Sequence, residues 1–116
     1  MSQVTIYHNP RCSKSRETLK LLEDNGVQPD VVEYLKNTPT KAELTSVLSA
    51  LGFTPRELMR KKEAEYKEQG LDDASLTDDQ LIDAMINTPK LIERPIVIKG
   101  AKARIGRPPE SVLEII

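Results

Sequence analysis

The sequence predicts a mixed α/β fold in which a strand–helix–strand unit and a strand–strand–helix unit flank a helical insertion. Three observations support this prediction. Short β-branched segments flank a helical segment near the start of the chain, capping signals for helices recur between residues 40 and 88, and an apolar β-branched segment opens the last third.

The first third is typical of a βαβ unit. Val4–Tyr7 is predicted as the first strand because it is β-branched and aromatic. The Asn9-Pro10 turn precedes a helix predicted over 12–25, and Gly26 supplies the left-handed stop. Residues 31–35 are predicted as the second strand. Such a unit closes with parallel strands and a right-handed crossover.

The middle third is predicted to be helical. A threonine stands three positions before Glu or Gln in each capping-box pattern, namely Thr40/Glu43, Thr54/Glu57 and Thr77/Gln80. Apolar residues follow at helical spacing in two stretches: Leu44, Val47, Leu48 and Leu51, then Leu81, Ile82, Met85 and Ile86. The polar stretch 61–73 is expected to be a solvated helix or loop.

The last third is predicted to contain two strands, 96–98 and 102–105, joined by a turn at Lys99-Gly100 and followed by a short helix. A βαβ unit, then helices, then a ββα unit is the order of a thioredoxin-like domain with a helical insertion. We therefore expect one domain over residues 1–116, with the insertion at about 40–88.

Composition excludes several classes of protein. The formal net charge of −1 predicts neither nucleic-acid nor membrane binding, and no apolar stretch approaches the roughly 18 residues of a membrane helix. The single cysteine excludes an intramolecular disulfide, and the single histidine excludes a metal site built from several Cys and His ligands. The start of the chain does not have the pattern of a secretory signal, so we expect a cytoplasmic protein.

Cys12 follows a predicted strand and begins a predicted helix. The first N–H groups of a helix have no internal acceptor, and the helix dipole favours a thiolate there. Arg11, Lys14 and Arg16 add positive charge, and the Ser15 hydroxyl could donate to the sulfur. Such surroundings lower a cysteine pKa from about 8.5 to roughly 3.5–7.5. We therefore interpret Cys12 as a catalytic nucleophile.

Each of these residues also has a less specific interpretation. A lone cysteine is more commonly a buried structural residue. His8 is either a residue that adjusts the reactivity of the Cys12 thiol or a polar residue at a strand end. Lys14 and Arg16 fit a solvated helix face. Arg11 fits either a solvated surface position or a position that stabilises the Cys12 thiolate.

Two absent motifs narrow the chemistry. Ser15 stands where a Cys-x-x-Cys redox pair would have its second cysteine, and Thr18 stands where a phosphatase-type loop would have arginine. A covalent step at Cys12 would therefore need a resolving thiol from another molecule.

Four segments at these separations resemble the glutaredoxin-coupled arsenate reductase family over essentially the whole chain: HNPRCSKSRETL, LMRKK, ERPIVI and ARIGRPPE. Well-studied members have Gly-Thr in place of Ser13-Lys14 and extend beyond the final helix. The chain in these respects resembles a short-chain branch of the family.

The resemblance implies a thioredoxin-like fold with Cys12 as nucleophile, and with His8 and Ser15 assisting the thiolate. It also implies a cis peptide bond at Pro95 and an oxyanion pocket formed by three arginines, Arg60, Arg94 and Arg107. Guanidinium groups suit this role for two reasons. Their paired N–H donors match the oxygens of an oxyanion, and their positive charge offsets the repulsion between the oxyanion and a thiolate.

The implied activity is the reduction of arsenate to arsenite through a Cys12–arsenate adduct. Glutathione would be the co-substrate and glutaredoxin the partner that regenerates the thiol, with no bound metal or organic cofactor. Two alternatives remain open at this point. One is a glutathione-dependent thiol reductase on the same scaffold, and the other is an Spx-type transcription regulator that binds RNA polymerase.

Overall fold

The computed structural model describes residues 3–116 and contains, within them, one sheet of four strands: β1 (Val4–Tyr7), β2 (Asp30–Val32), β3 (Ile96–Lys99) and β4 (Lys102–Ile105). The strand order is β2-β1-β3-β4. Strand β2 is parallel to β1. Strand β3 is antiparallel to β1, and β4 is antiparallel to β3. This mixed sheet confirms the predicted α/β fold of thioredoxin-like type.

Helix α1 (Ser13–Asp24) crosses from β1 to β2 and packs against a 3₁₀ helix at Pro109–Glu114. The C-terminal helix was expected from the sequence, and its hydrogen bonding makes it 3₁₀. The core between these helices and the sheet consists of buried apolar side chains: Val4, Ile6, Leu22, Val97, Val112 and Ile115.

Strand β2 is shorter than the predicted segment 31–35. Tyr7 is the last residue of β1 and pairs with Val32, so pairing stops there. The chain then turns, because the N–H groups of Lys36 and Asn37 donate to the Glu33 carbonyl at 2.9 and 2.8 Å. The β-branched and aromatic residues of 31–35 favour a strand, but β1 ends at Tyr7, so the residues after Val32 have no partner strand in β1.

The helical insertion contains four α-helices within the described residues: α2 (Lys41–Leu51), α3 (Pro55–Leu58), α4 (Ala64–Glu68) and α5 (Asp78–Asn87). The three predicted capping boxes are present in full, each with both reciprocal hydrogen bonds, at the starts of α2, α3 and α5. Helix α5 packs against α2 and α3.

The polar stretch 61–73 holds more structure than its composition suggests. Tyr66, on α4, is only 8% exposed. The Arg56 guanidinium donates to the Tyr66 hydroxyl at 2.7 Å and to the Leu71 carbonyl at 2.6 Å. Arg56 therefore organises this stretch through contacts that the local sequence does not reveal.

The chain divides into two compact units. The first comprises the chain up to Asn37 and from Arg94 to Ile116, and the second comprises Thr38–Glu93. The predicted organisation as one domain stays a prediction. Across residues 3–116, none of the helices is sufficiently long and apolar to cross a membrane.

Candidate active site

Cys12 lies at the junction between β1 and α1, as predicted. It is the N-cap residue of α1, in an extended conformation with φ −96° and ψ 123°. Its N–H donates to the Asn9 carbonyl at 3.0 Å, and its carbonyl accepts from the Arg16 N–H at 3.0 Å. The Asn9-Pro10 turn therefore places the sulfur where the first N–H groups of a helix lack helical acceptors.

The pKa of the Cys12 thiol is lowered. Partial burial by itself raises that pKa, but the backbone N–H groups of Ser15 and Lys14 act in the opposite direction. The positive charges of Arg94 and Arg107 lower it further. The sulfur makes no capping hydrogen bond of ordinary geometry, so the first turn acts on it mainly as a set of nearby dipoles.

Arg107 contacts the sulfur directly. Its Nη2 lies 3.6 Å from Cys12 Sγ, and its Nε donates to the Arg94 carbonyl at 2.8 Å. Both arginines precede prolines in cis peptide bonds, Arg94–Pro95 and Arg107–Pro108. The first of these confirms the predicted cis bond. The arrangement gives a Cys12 thiolate a guanidinium neighbour, which is the donor type that also matches oxyanions.

His8 and Ser15 form a buried hydrogen-bonded pair. Ser15 Oγ lies 2.6 Å from His8 Nδ1 and also accepts from the Asn9 N–H at 3.0 Å. Burial lowers the pKa of His8, and the charge of Glu33 opposes that effect. The Ser15 hydroxyl is thus engaged by His8 rather than by the sulfur, whereas the Ser15 backbone N–H is the group that acts on Cys12.

The cations next to Cys12 in the sequence are not the main causes of its lowered pKa. Lys14 forms an ion pair on the exposed face of α1, in line with a solvated helix face. The side chains of Arg11 and Arg16 are likewise not among those causes. The guanidinium that contacts the sulfur belongs to Arg107, which is 95 residues away along the chain.

Arg60 belongs to the second unit, two positions after α3 ends. Its side chain forms an ion pair with Glu63 at 2.9 Å, and its backbone N–H donates to the Leu91 carbonyl at 2.7 Å. All the other predicted site residues belong to the first unit. Oxyanion binding by Arg60 stays a prediction.

A cleft of about 170 Å³ opens beside the loop that precedes Cys12. Residues 8–11 of that loop line it, together with Glu33, Leu35 and Lys36, which follow β2. The sequence did not indicate these last three as site residues, and no local signal marks them. The parallel pairing of β1 with β2 brings them beside His8.

Comparison with known proteins identifies relatives over nearly the whole chain. The model of the ArsC family matches residues 7–115. An arsenate reductase of Haemophilus influenzae is 52% identical over 114 residues, which cover 97% of this chain and 98% of the relative. An uncharacterized protein of Escherichia coli, YfgD, is 61% identical over 98% of this chain and 97% of its own length. The solved structure of an arsenate reductase from Vibrio cholerae superposes with a TM-score of 0.96 at 54% identity, covering 99% of this chain and 98% of that one.

Proposed function

The chain belongs to the ArsC family, and on this premise we propose that it is an arsenate reductase whose nucleophile is the Cys12 thiolate. One observation carries the proposal: the only cysteine of the chain has a lowered pKa and lies 3.6 Å from a guanidinium nitrogen of Arg107. Relatives named arsenate reductases support the choice of substrate.

The first step of the proposed reaction joins sulfur to arsenic. Cys12 Sγ attacks arsenate, a sulfur–arsenic bond forms, and one arsenate oxygen takes up protons and leaves as water. A thiolate and an arsenate are both anions, so they repel each other. The guanidinium groups of Arg94 and Arg107 offset that repulsion and stabilise the charge that develops on the arsenate oxygens.

The second and third steps need thiols from outside the chain, because the chain has one cysteine. A glutathione thiolate attacks the Cys12 sulfur of the adduct and forms a disulfide bond. The sulfur–arsenic bond breaks with its electron pair on arsenic, which leaves as arsenite. A glutaredoxin thiolate then attacks the glutathione sulfur and releases the Cys12 thiolate.

The remaining predicted site residues have supporting roles in the proposal. His8 and Ser15 hold the loop that presents Cys12, since their side chains are hydrogen-bonded at 2.6 Å. Arg60 is assigned to oxyanion binding on the resemblance of its segment alone.

The chemistry requires no bound cofactor. Among residues 3–116, no group of three or more His, Cys, Asp or Glu side chains is arranged to hold a metal ion. A reducing compartment such as the cytoplasm suits a catalytic free thiol.

The test is arsenate-dependent NADPH consumption with glutathione, glutaredoxin and glutathione reductase supplied. The protein should support turnover, and Cys12→Ser should fold normally yet abolish it. Arg94→Ala should reduce the rate by about 10²–10³, the usual effect of removing a donor directed at developing charge. Lys102→Ala, a change of equal charge on β4, should leave the rate unchanged. Turnover by Cys12→Ser would contradict the mechanism.

A further inference from the structure

The cleft beside His8 is built from two segments of the first unit. The loop of residues 8–11 forms one wall, and the residues after β2, including Glu33 and Lys36, form the other. Cys12, Arg94 and Arg107 do not line it. The cleft is therefore additional to the arginine-flanked sulfur where the oxyanion would react.

His8 presents a hydrogen-bonding group to this cleft. Its side chain is largely buried, since the residue is 6% exposed. Ser15 Oγ accepts from the Asn9 N–H and lies 2.6 Å from His8 Nδ1, so Nδ1 already has a hydrogen-bond partner. Within residues 3–116, the other ring nitrogen, Nε2, has no hydrogen-bond partner, so it is the nitrogen available to a ligand.

Charged groups of both signs line the cleft together with His8. Arg11 and Lys36 are positive and Glu33 is negative, and all three line the cleft. Lys36 Nζ lies 3.8 Å from Glu33 Oε1, and the two side chains are 78% and 40% exposed. An exposed pair of this kind contributes little to stability, so a ligand can replace it at little cost. Leu35, 44% exposed, adds an apolar surface.

This pattern of charges matches the α-amino acid end of a small peptide. An ammonium and a carboxylate on one carbon fit a site in which a carboxylate and an ammonium lie side by side, as those of Glu33 and Lys36 do. A simple anion fits less well, because the Glu33 carboxylate would repel it. The size also fits one end of a ligand, since clefts that enclose whole small molecules measure about 300–1,000 Å³.

We propose that this cleft binds the γ-glutamyl end of the peptide thiol co-substrate, with Glu33 facing its ammonium group, and with Lys36, Arg11 and His8 facing its carboxylate. This assignment rests on the proposed function for the identity of the thiol as glutathione. An extended tripeptide spans about 10 Å. Bound by one end in the cleft, it can pass along Arg11 and bring its thiol to the adjacent Cys12.

The experiment uses the fact that His8 is the only histidine of the chain. Its ring protons therefore give a single set of NMR signals, which report on the cleft without any turnover. S-methylglutathione, which cannot react, should shift these signals saturably at constant pH. S-methylcysteinylglycine, which lacks the γ-glutamyl group, should not. Glu33→Gln and Lys36→Met should each weaken binding about tenfold, the effect of one hydrogen bond to a charged group.

Matched controls and kinetics complete the test. Lys20→Met removes an exposed lysine of α1, outside the cleft, and should leave binding unchanged. In the coupled assay, Lys36→Met should raise KM for glutathione about tenfold and leave KM for arsenate unchanged.

Three outcomes separate this inference from the proposed function. Turnover with glutathione, together with His8 signals that S-methylglutathione does not move, would overturn the cleft assignment while the reductase proposal stands. Equal shifts with sulfate alone would also overturn it, because the site would then bind any anion. Shifts that depend on the γ-glutamyl group support it even if arsenate is not reduced.

Discussion

At the scale of single residues, Cys12 is defined by groups from three parts of the chain. Burial raises its pKa, whereas the first turn of α1, Arg94 and Arg107 lower it, and the lowering prevails. The Arg107 side chain contacts the thiol, with Nη2 3.6 Å from the sulfur. The reactive form of the thiol is thus favoured by charges that folding brings to it, which is the usual way that a cysteine becomes a nucleophile.

The pH dependence of Cys12 alkylation tests this arrangement. Only the thiolate reacts, so the rate rises with pH through the thiol pKa, and its midpoint should lie below the value of about 8.5 for a free cysteine. Arg107→Gln should raise the midpoint, because it removes a positive charge that lowers the pKa of the thiol. Arg104→Gln, whose side chain is paired with Glu114, is the control and should leave it unchanged. A midpoint at or above about 8.5 in the unaltered protein would contradict the nucleophile assignment.

At the scale of elements, the segment that follows β4 packs closely against α1. Gly106 follows β4, and its N–H donates to the Pro95 carbonyl at 2.9 Å. A Cβ at this position would meet Thr18 Oγ1, and would lie 2.7 Å from Pro95 Cγ and 3.0 Å from Thr18 Cγ2. The backbone next to Arg107 therefore packs directly against the helix that begins after Cys12.

Gly106→Ala should consequently destabilise the protein by about 1–3 kcal/mol, the usual cost of adding a methyl group to a packed contact. The measurement is the free energy of unfolding in urea. In a Thr18→Ala background the cost should be smaller, because Oγ1 and Cγ2 are then absent, and this double-mutant cycle isolates the contact. Equal costs in both backgrounds would show that Thr18 is not the neighbour that excludes a side chain.

At the scale of the whole molecule, the proposed oxyanion site draws on residues far apart in the sequence. Cys12, Arg94 and Arg107 are all part of the first unit. If an oxyanion binds beside the sulfur, tetrahedral anions should protect Cys12 better than chloride does, because chloride lacks the oxygens that match guanidinium donors.

Cys12 alkylation in sulfate and in chloride at matched ionic strength measures this protection. Alkylation of Cys12 should be slower in sulfate than in chloride. Arg94→Ala should abolish this difference in rate, whereas Lys102→Ala should retain it. Arg60→Ala in the same assay tests the oxyanion-binding role that the family resemblance implies for Arg60. A disulfide reductase with an open groove should respond to both salts alike, so equal rates would favour the thiol-reductase alternative and leave Cys12 as the nucleophile.

Features that depend on neighbouring residues could be predicted from the sequence. The capping boxes at Thr40, Thr54 and Thr77 are local hydrogen-bond patterns, and the structure contains each of them. The position of Cys12 between strand and helix depends likewise on local signals. The family resemblance added the cis bond at Pro95, which the structure confirms.

Features that depend on distant partners could not be predicted from the sequence, because they form only when the chain folds. The strand propensity of 31–35 is genuine, but β2 ends at Val32 because β1 ends opposite it. The local sequence suggested a hydroxyl bond from Ser15 to sulfur, whereas folding directs that hydroxyl to His8. Charges act through space rather than along the chain, so Arg107, not the adjacent cations, contacts the Cys12 sulfur.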